Sequence, residues 1–195
     1  MSDERREEII AAAQRLFAWY GYKKTTLENI AKDLNLTKTA IYNYFSGKEE
    51  LFAVVVEKER REFFLRLEDV VNKESDPVKK LIAFFVQETK TIQEFVNLYD
   101  LTSGILQKLH KVVETNNVSY FEERKANLMT ILQTGIDDGV FNIKEPDVLA
   151  ESMVISFRRF TEQWMFESSN IKPVERVQIL LETLLYGIVK REQGD

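Results

Sequence analysis

Apolar side chains recur along most of the chain at three- and four-residue intervals, the spacing that draws one stripe along an α-helix. From Glu4 to Tyr20, the positions Ile9, Ala13, Leu16, Phe17 and Tyr20 share a face, and Gly21 follows where a left-handed C-terminal residue belongs. Thr25-Thr-Leu-Glu28 reads as a capping box, with the Thr25 hydroxyl accepting from the Glu28 amide, and opens a second helix to Leu34. Asn35-Leu36-Thr37 is a tight break, and Asn is one of the few non-Gly residues that enters the left-handed region cheaply. A third helix, capped by Thr37, runs from Lys38 to about Phe45. A second capping box, Ser46-Gly-Lys-Glu49, opens a long fourth helix to about Asn72, with Glu57 before Arg61 and Glu62 before Arg66 on its outer face. Ser75-Asp76-Pro77 starts a fifth, and further segments fall near 95–114 and 117–138, the latter stopped by Gly139. Pro146 and Pro173 open two last helices, about 146–168 and 173–191. Strands need more turn punctuation than 7 Gly and 3 Pro provide, so the expected class is all-α, with about nine helices.

Composition narrows the function. The 195 residues, 44% of them apolar, suffice for one large domain or two small ones, and no internal repeat or low-complexity tract interrupts them. Without cysteine there is no disulfide framework, thiolate metal site or Cys nucleophile. The charged start MSDERREEII lacks the apolar core of a signal peptide, and no run reaches the roughly 18–20 apolar residues that span a bilayer, so a cytoplasmic location without membrane contact is expected. An enzyme is not expected: there is no Gly-rich phosphate loop, no His-Glu-x-x-His, no Gly-x-Ser-x-Gly, and one histidine, His110, without a second His to share a metal. No cofactor is implied.

The most specific signal lies in residues 27–44. Two helices crossing through a tight turn need apolar residues at the crossing and a small one at the closest approach. Ile30, Leu34, Leu36 and Ile41 supply the first, Ala31 the second and Asn35 the turn. Charge points the same way. From Tyr22 to Lys48 there are five lysines and two acids, net +3, in a chain whose formal net charge is −5. Positive charge is gathered where a phosphate backbone would lie.

On these residues the stretch GYKKTTLENIAKDLNLTKTAIYNYFSGKEELF, 21–52, resembles the N-terminal signature of TetR-family transcriptional regulators: a Gly ending helix 1, a Thr-Thr cap, Ile-Ala in helix 2, a Tyr-x-Tyr-Phe recognition helix and Lys-Glu-x-Leu opening helix 4. It departs at Asn35 and Thr39, both commonly Gly. The resemblance implies a helix-turn-helix DNA-binding domain over 1–47 and a helical ligand-binding and dimerisation domain over 48–195. Lys38, Thr39 and Tyr42 would meet base edges or the adjacent backbone, and Asn43 would also reach a base. Thr25 or Thr26, Thr37, Tyr44 and Lys48 would contact phosphates, with packing beneath helix 3 as the other reading of Tyr44 and core burial as the better one of Phe45. Repression is the family default, and activation stays open.

One such module offers less than the roughly 1,000 Å² that specific DNA sites usually need, so a homodimer on a near-palindromic double-stranded operator is expected. Val177, Leu181, Leu184 and Ile188 form a stripe on the last helix, widened by Leu180, Leu185 and Val189, and Val154, Phe157, Thr161 and Trp164 add a second on the helix before it. A partner chain fits this breadth, though a central buried helix would look the same. Between 81 and 168 the chain is rich in aromatics, which in this family usually enclose a small-molecule pocket whose occupancy tilts helix 4; Phe84, Glu88, Tyr99, Phe121, Phe157, Phe160 and Trp164 are the candidate lining, for a small apolar or amphipathic effector. Glu88, Asp100 and Glu162 would suit a cationic ligand and Arg158 or Arg159 a carboxylate. The competing function keeps the DNA-binding dimer but replaces the effector by a protein partner, making the chain an architectural or adaptor factor.

Overall fold

The computed structural model of the chain describes residues 2–107 and 118–187, excepting the side chains of residues 2, 60, 64, 65 and 118–120. The expectations placed on His110, Ile188 and Val189 lie outside the described residues. The described residues are all-α: α1 (Ser2–Tyr20), α2 (Leu27–Asp33), α3 (Lys38–Tyr42), α4 (Lys48–Asn72), α5 (Pro77–Leu98), α6 (Val118–Asp137), α7 (Pro146–Trp164) and α8 (Pro173–Tyr186), with a further helical stretch at 103–107. No described helix is long and apolar enough to cross a membrane.

Proline at the first helical position starts α5, α7 and α8 as the spacing predicts. Three of the described stops are Schellman turns. After α2, Asn35 takes φ 55° while its amide bonds to the Lys32 carbonyl and the Leu36 amide to Ala31 at 2.8 Å. Gly139, at φ 69°, closes α6 in the same way, with Val140 donating to Gly135. The expected boundary near 95 is absent: α5 continues to Leu98 and turns at Asp100, φ 50°, where Leu101 donates to Val96. Asp is the other short polar residue that tolerates this conformation. The last helix also ends early, at Tyr186, because Gly187 adopts φ 83°.

Both capping boxes are displaced by one residue. Thr26, not Thr25, caps α2: its Oγ1 accepts from the Asn29 amide at 3.2 Å, and the Asn29 Oδ1 accepts from the Thr26 amide at 2.9 Å. At α4 it is Glu50, not Glu49, that accepts from the Ser46 amide and hydroxyl, both at 2.6 Å. These two bonds hold the Glu50 carboxyl below the usual carboxylate range.

The chain forms two compact units, Met1–Leu65 with Gln93–Val118, and Arg66–Ile92 with Ser119–Asp195. The first is built on an aromatic cluster in which Phe17, Tyr22, Phe95 and Tyr99 surround Phe52 at ring separations of 4.6–6.1 Å. Each such ring, buried, contributes about 1.5–3 kcal/mol. In the second, Phe85 stacks on Phe157 at 4.2 Å, Thr89 meets Thr161 hydroxyl to hydroxyl at 3.4 Å, and Leu128, Leu132, Ala150, Val177 and Leu181 are buried.

Candidate nucleic-acid interface

Burial of Leu27, Ile30 and Ala31 on α2 and Ile41 on α3 fixes which faces of the two helices remain in solvent. Leu34 and Leu36 are half-buried at the turn. Thr26 and Thr37 stand exposed at the starts of α2 and α3, the Thr37 hydroxyl accepting from the Ala40 amide at 3.2 Å. Lys38, Thr39, Tyr42 and Asn43 are exposed together on and just after α3. Phe45 is buried, with the Arg6 guanidinium 5.1 Å from its ring centre, and Tyr44 is half-buried beside it in sequence.

Thr25 does not belong to this surface. It is 1% exposed, and its hydroxyl donates inward to the carbonyls of Leu16 at 3.0 Å and Gly21 at 2.9 Å, tying α2 to the end of α1. Of the two adjacent threonines, only Thr26 is available to a phosphate.

Lys48 sits half-buried at the start of α4, its ammonium 4.2 Å from the Tyr22 ring centre and donating to the Lys23 carbonyl at 3.4 Å. Burial pulls it below the ordinary lysine range. Tyr22 is itself pushed up to about 12, first by burial and then by the Glu49 carboxylate. Lys23 and Lys24 are exposed in the turn before α2 and join the cationic surface; counting charge along the chain included them without giving them a role. Glu28 is the other residue missed. Its carboxylate pairs with the Lys38 ammonium.

The expected effector lining is scattered. Tyr99 lies in the first unit, wholly buried, its hydroxyl donating to Glu59 at 2.6 Å. Burial and that carboxylate raise its pKa far above an ordinary tyrosine's. Phe157 is core, Phe121 and Trp164 are half-buried, and Phe160 is 40% exposed, stacked on Trp164. Glu88 is buried in an ion pair with Arg124, Nη2 to Oε2 2.5 Å, and Glu162 pairs with Arg158 at 3.6 Å and Arg159 at 3.8 Å, so the acids and bases proposed for rival ligands partly neutralise one another. Asp100 is exposed, at the α5 stop. A cleft of about 200 Å³ does open in the second unit, but of the candidates only Phe84 lines it, with Leu67, Val71 and Ile131 and a polar rim that includes Glu68 and Lys80.

The stripes expected at a partner chain face inward instead. Val154, Phe157 and Thr161 on α7 and Val177 and Leu181 on α8 are all at most 3% exposed within the single chain. Leu184 is the exception, 62% exposed, and Ile155, Phe160, Ile179 and Tyr186 are the other exposed large apolar residues of these two helices besides Val148 and Leu149. Among the described residues, no three His, Asp or Glu side chains gather where they could hold a metal ion.

Residues 9–55 match the family model of bacterial regulatory proteins, tetR family. The HTH-type transcriptional repressor KstR2 of Mycolicibacterium smegmatis is 28% identical over 98% of this chain and 93% of its own. A transcriptional regulator of the TetR/AcrR family from Thermobifida fusca shares the fold at a TM-score of 0.67, 25% identical over 96% of this chain and 100% of its own. A TetR-family regulator from Pectobacterium atrosepticum superposes at 0.73, 20% identical over 98% and 97%. With the signature seated on a helix-turn-helix, residues 9–55 form a tetR-family domain, and over nearly its whole length the chain is similar to TetR-family helix-turn-helix transcriptional regulators.

Proposed function

We propose that the chain is a ligand-responsive repressor that grips a near-palindromic operator as a homodimer, residues 1–47 reading DNA and residues 48–195 holding the effector and the partner chain. The observation that carries this is the surface of α3. Lys38, Thr39, Tyr42 and Asn43 stand in solvent while Ile41 between them is buried, so a short helix presents ammonium, hydroxyl and amide groups outward from a fixed base. Thr26, Thr37 and Lys48 flank it with groups that orient the module on phosphates. Tyr44, half-buried, contributes less than these.

A second copy of the chain is the occupant proposed for the exposed apolar residues Ile155, Phe160, Ile179 and Leu184, which replace the buried stripes as the contact surface. The cleft beside Phe84 supports a small amphipathic effector over a protein partner, because its apolar floor is rimmed by Glu68, Asn72, Lys80 and Asn127 within about 200 Å³. That repression is the mode of action is supported by the KstR2 likeness.

Selection of bound sequences from a random duplex pool by the intact chain tests the proposal, and sedimentation of the chain with and without Leu184→Glu and Ile179→Glu tests the assembly. Recovery of an inverted repeat with half-sites about one or more helical turns apart is expected, with loss of the dimer in the double variant. Unenriched sequences, or a monomer in the parent chain, would overturn it.

A further inference from the structure

Lys38 opens α3, and α3 has no acidic residue in its first turn. A cation there meets the positive end of the helix dipole, the unfavourable end for it. Compensation comes from another helix. Glu28, in the first turn of α2 where an acid is favoured, pairs with the Lys38 ammonium, and the Tyr42 ring one turn further along α3 lies 5.9 Å from the same nitrogen. Both members of the pair remain open to solvent, 58% for Glu28 and 44% for Lys38, so the contact stabilises the fold little. What it does change is freedom. A lysine is a mobile point charge on a four-carbon stem, and this one is held between a carboxylate and a ring on the surface proposed to face DNA. Their mutual hydrogen bond lowers the carboxyl and raises the ammonium relative to their ordinary values, so both are charged across the neutral range.

We infer that Glu28 is a positioning residue for sequence preference: it aims Lys38 along α3 at one base edge and offsets the charge that would otherwise settle on the nearest phosphate. The inference rests on the DNA-reading function proposed for α3. Its logic is a trade. Phosphate contacts add affinity for every sequence and steepen the salt dependence, whereas base contacts discriminate. Removing the Glu28 charge would turn Lys38 from the second kind of contact into the first.

The test uses the intact chain, the preferred duplex from the selection and a random duplex, titrated over a range of salt. For Glu28→Gln the ratio of preferred to random affinity is expected to fall about tenfold, and the slope of log K against log salt to steepen by about 0.9. Both changes should vanish when Glu28→Gln is placed in a Lys38→Ala background, and Glu28→Asp should restore part of the preference. Unchanged preference and slope in Glu28→Gln would overturn the inference, and so would the same changes appearing without Lys38. If Lys38→Ala relaxes preference but Glu28→Gln does not, only the role of Glu28 falls. A parent chain with no preference removes the proposed function as well.

Discussion

Polar and apolar groups are distributed in opposite senses in the helix-turn-helix of the first unit and in the second unit. In the helix-turn-helix, threonines, lysines and Asn43 face solvent and the buried Thr25 hydroxyl donates to two carbonyls; elsewhere in that unit the buried Tyr99 hydroxyl donates to Glu59. In the second, a full ion pair, Glu88 with Arg124, lies buried, while Ile155, Ile179 and Leu184 face out. A surface of donors anchored on a neutral core suits a charged polymer that arrives and leaves. Apolar residues held outward ask to be covered, and a buried charge pair makes the interior sensitive to anything that disturbs either partner.

The largest expected effect is therefore in the second unit. Arg124→Ala leaves the Glu88 carboxylate buried without its counter-ion and should destabilise by about 3–5 kcal/mol in urea unfolding, whereas replacing both, Glu88→Leu with Arg124→Met, should recover most of that loss. A loss under about 1 kcal/mol for the single variant would mean that the interior tolerates the charge, and the contrast between the units would disappear.

Glycine gives the next comparison. A Cβ on Gly135 would lie 2.1 Å from the Phe141 ring, so Gly135→Ala should cost about 1–3 kcal/mol through overpacking, and Phe141→Leu should relieve it. At Gly21 the obstacle is conformational as well as steric: φ is 80°, and a Cβ would come within 3.0 Å of the Asp100 Cβ. Gly21→Ala is expected to cost roughly 1–2 kcal/mol, with no relief from trimming a neighbouring ring. Thermal unfolding of the two single variants and the Phe141 double variant separates the mechanisms.

These positions also show what can be read in advance. Helix starts at Pro77, Pro146 and Pro173, the left-handed stops at Gly21, Asn35 and Gly139, and the packing of Ile30, Ala31 and Ile41 follow from local chemistry and period alone. The stop at Asp100 does not, because an aspartate takes the left-handed form only when its surroundings ask for it. Thr25 and Thr26 are equivalent as caps until the carbonyl of Leu16 is known to lie beside one of them. Stripes such as Val177 with Leu181 are legible as apolar, but burial within one chain and burial against a second select the same residues. The same ambiguity scattered the effector lining, since aromatic spacing marks a core or a cleft wall alike, and only Phe84 proved to be at the cleft.

The threonine pair turns that ambiguity into an experiment of moderate size. Thr25→Val removes a buried donor while keeping its shape, and unfolding should become easier by about 1 kcal/mol with no change in the salt dependence of DNA binding. Thr26→Ala loses the α2 cap, also about 1 kcal/mol, but should in addition weaken binding to every duplex tested. Binding loss in Thr25→Val with stability intact would reverse the assignment.

Lys48 should show the smallest change in stability and the cleanest change in function. Its stem covers the Tyr22 ring, so Lys48→Met, which keeps the apolar length and removes the charge, is the better variant than Lys48→Ala. Unfolding free energy should move by no more than about 0.5 kcal/mol, because the ammonium's long bond to the Lys23 carbonyl and its approach to the Tyr22 ring are offset by its partial desolvation in place. Affinity should nevertheless drop alike for preferred and random duplexes, and the salt slope should lose about 0.9, one phosphate's worth. Thr39→Ala, on the exposed face of α3, should instead flatten preference and leave the slope alone. If Lys48→Met alters preference and Thr39→Ala alters the slope, the division of this surface into orienting and reading groups is drawn the wrong way round.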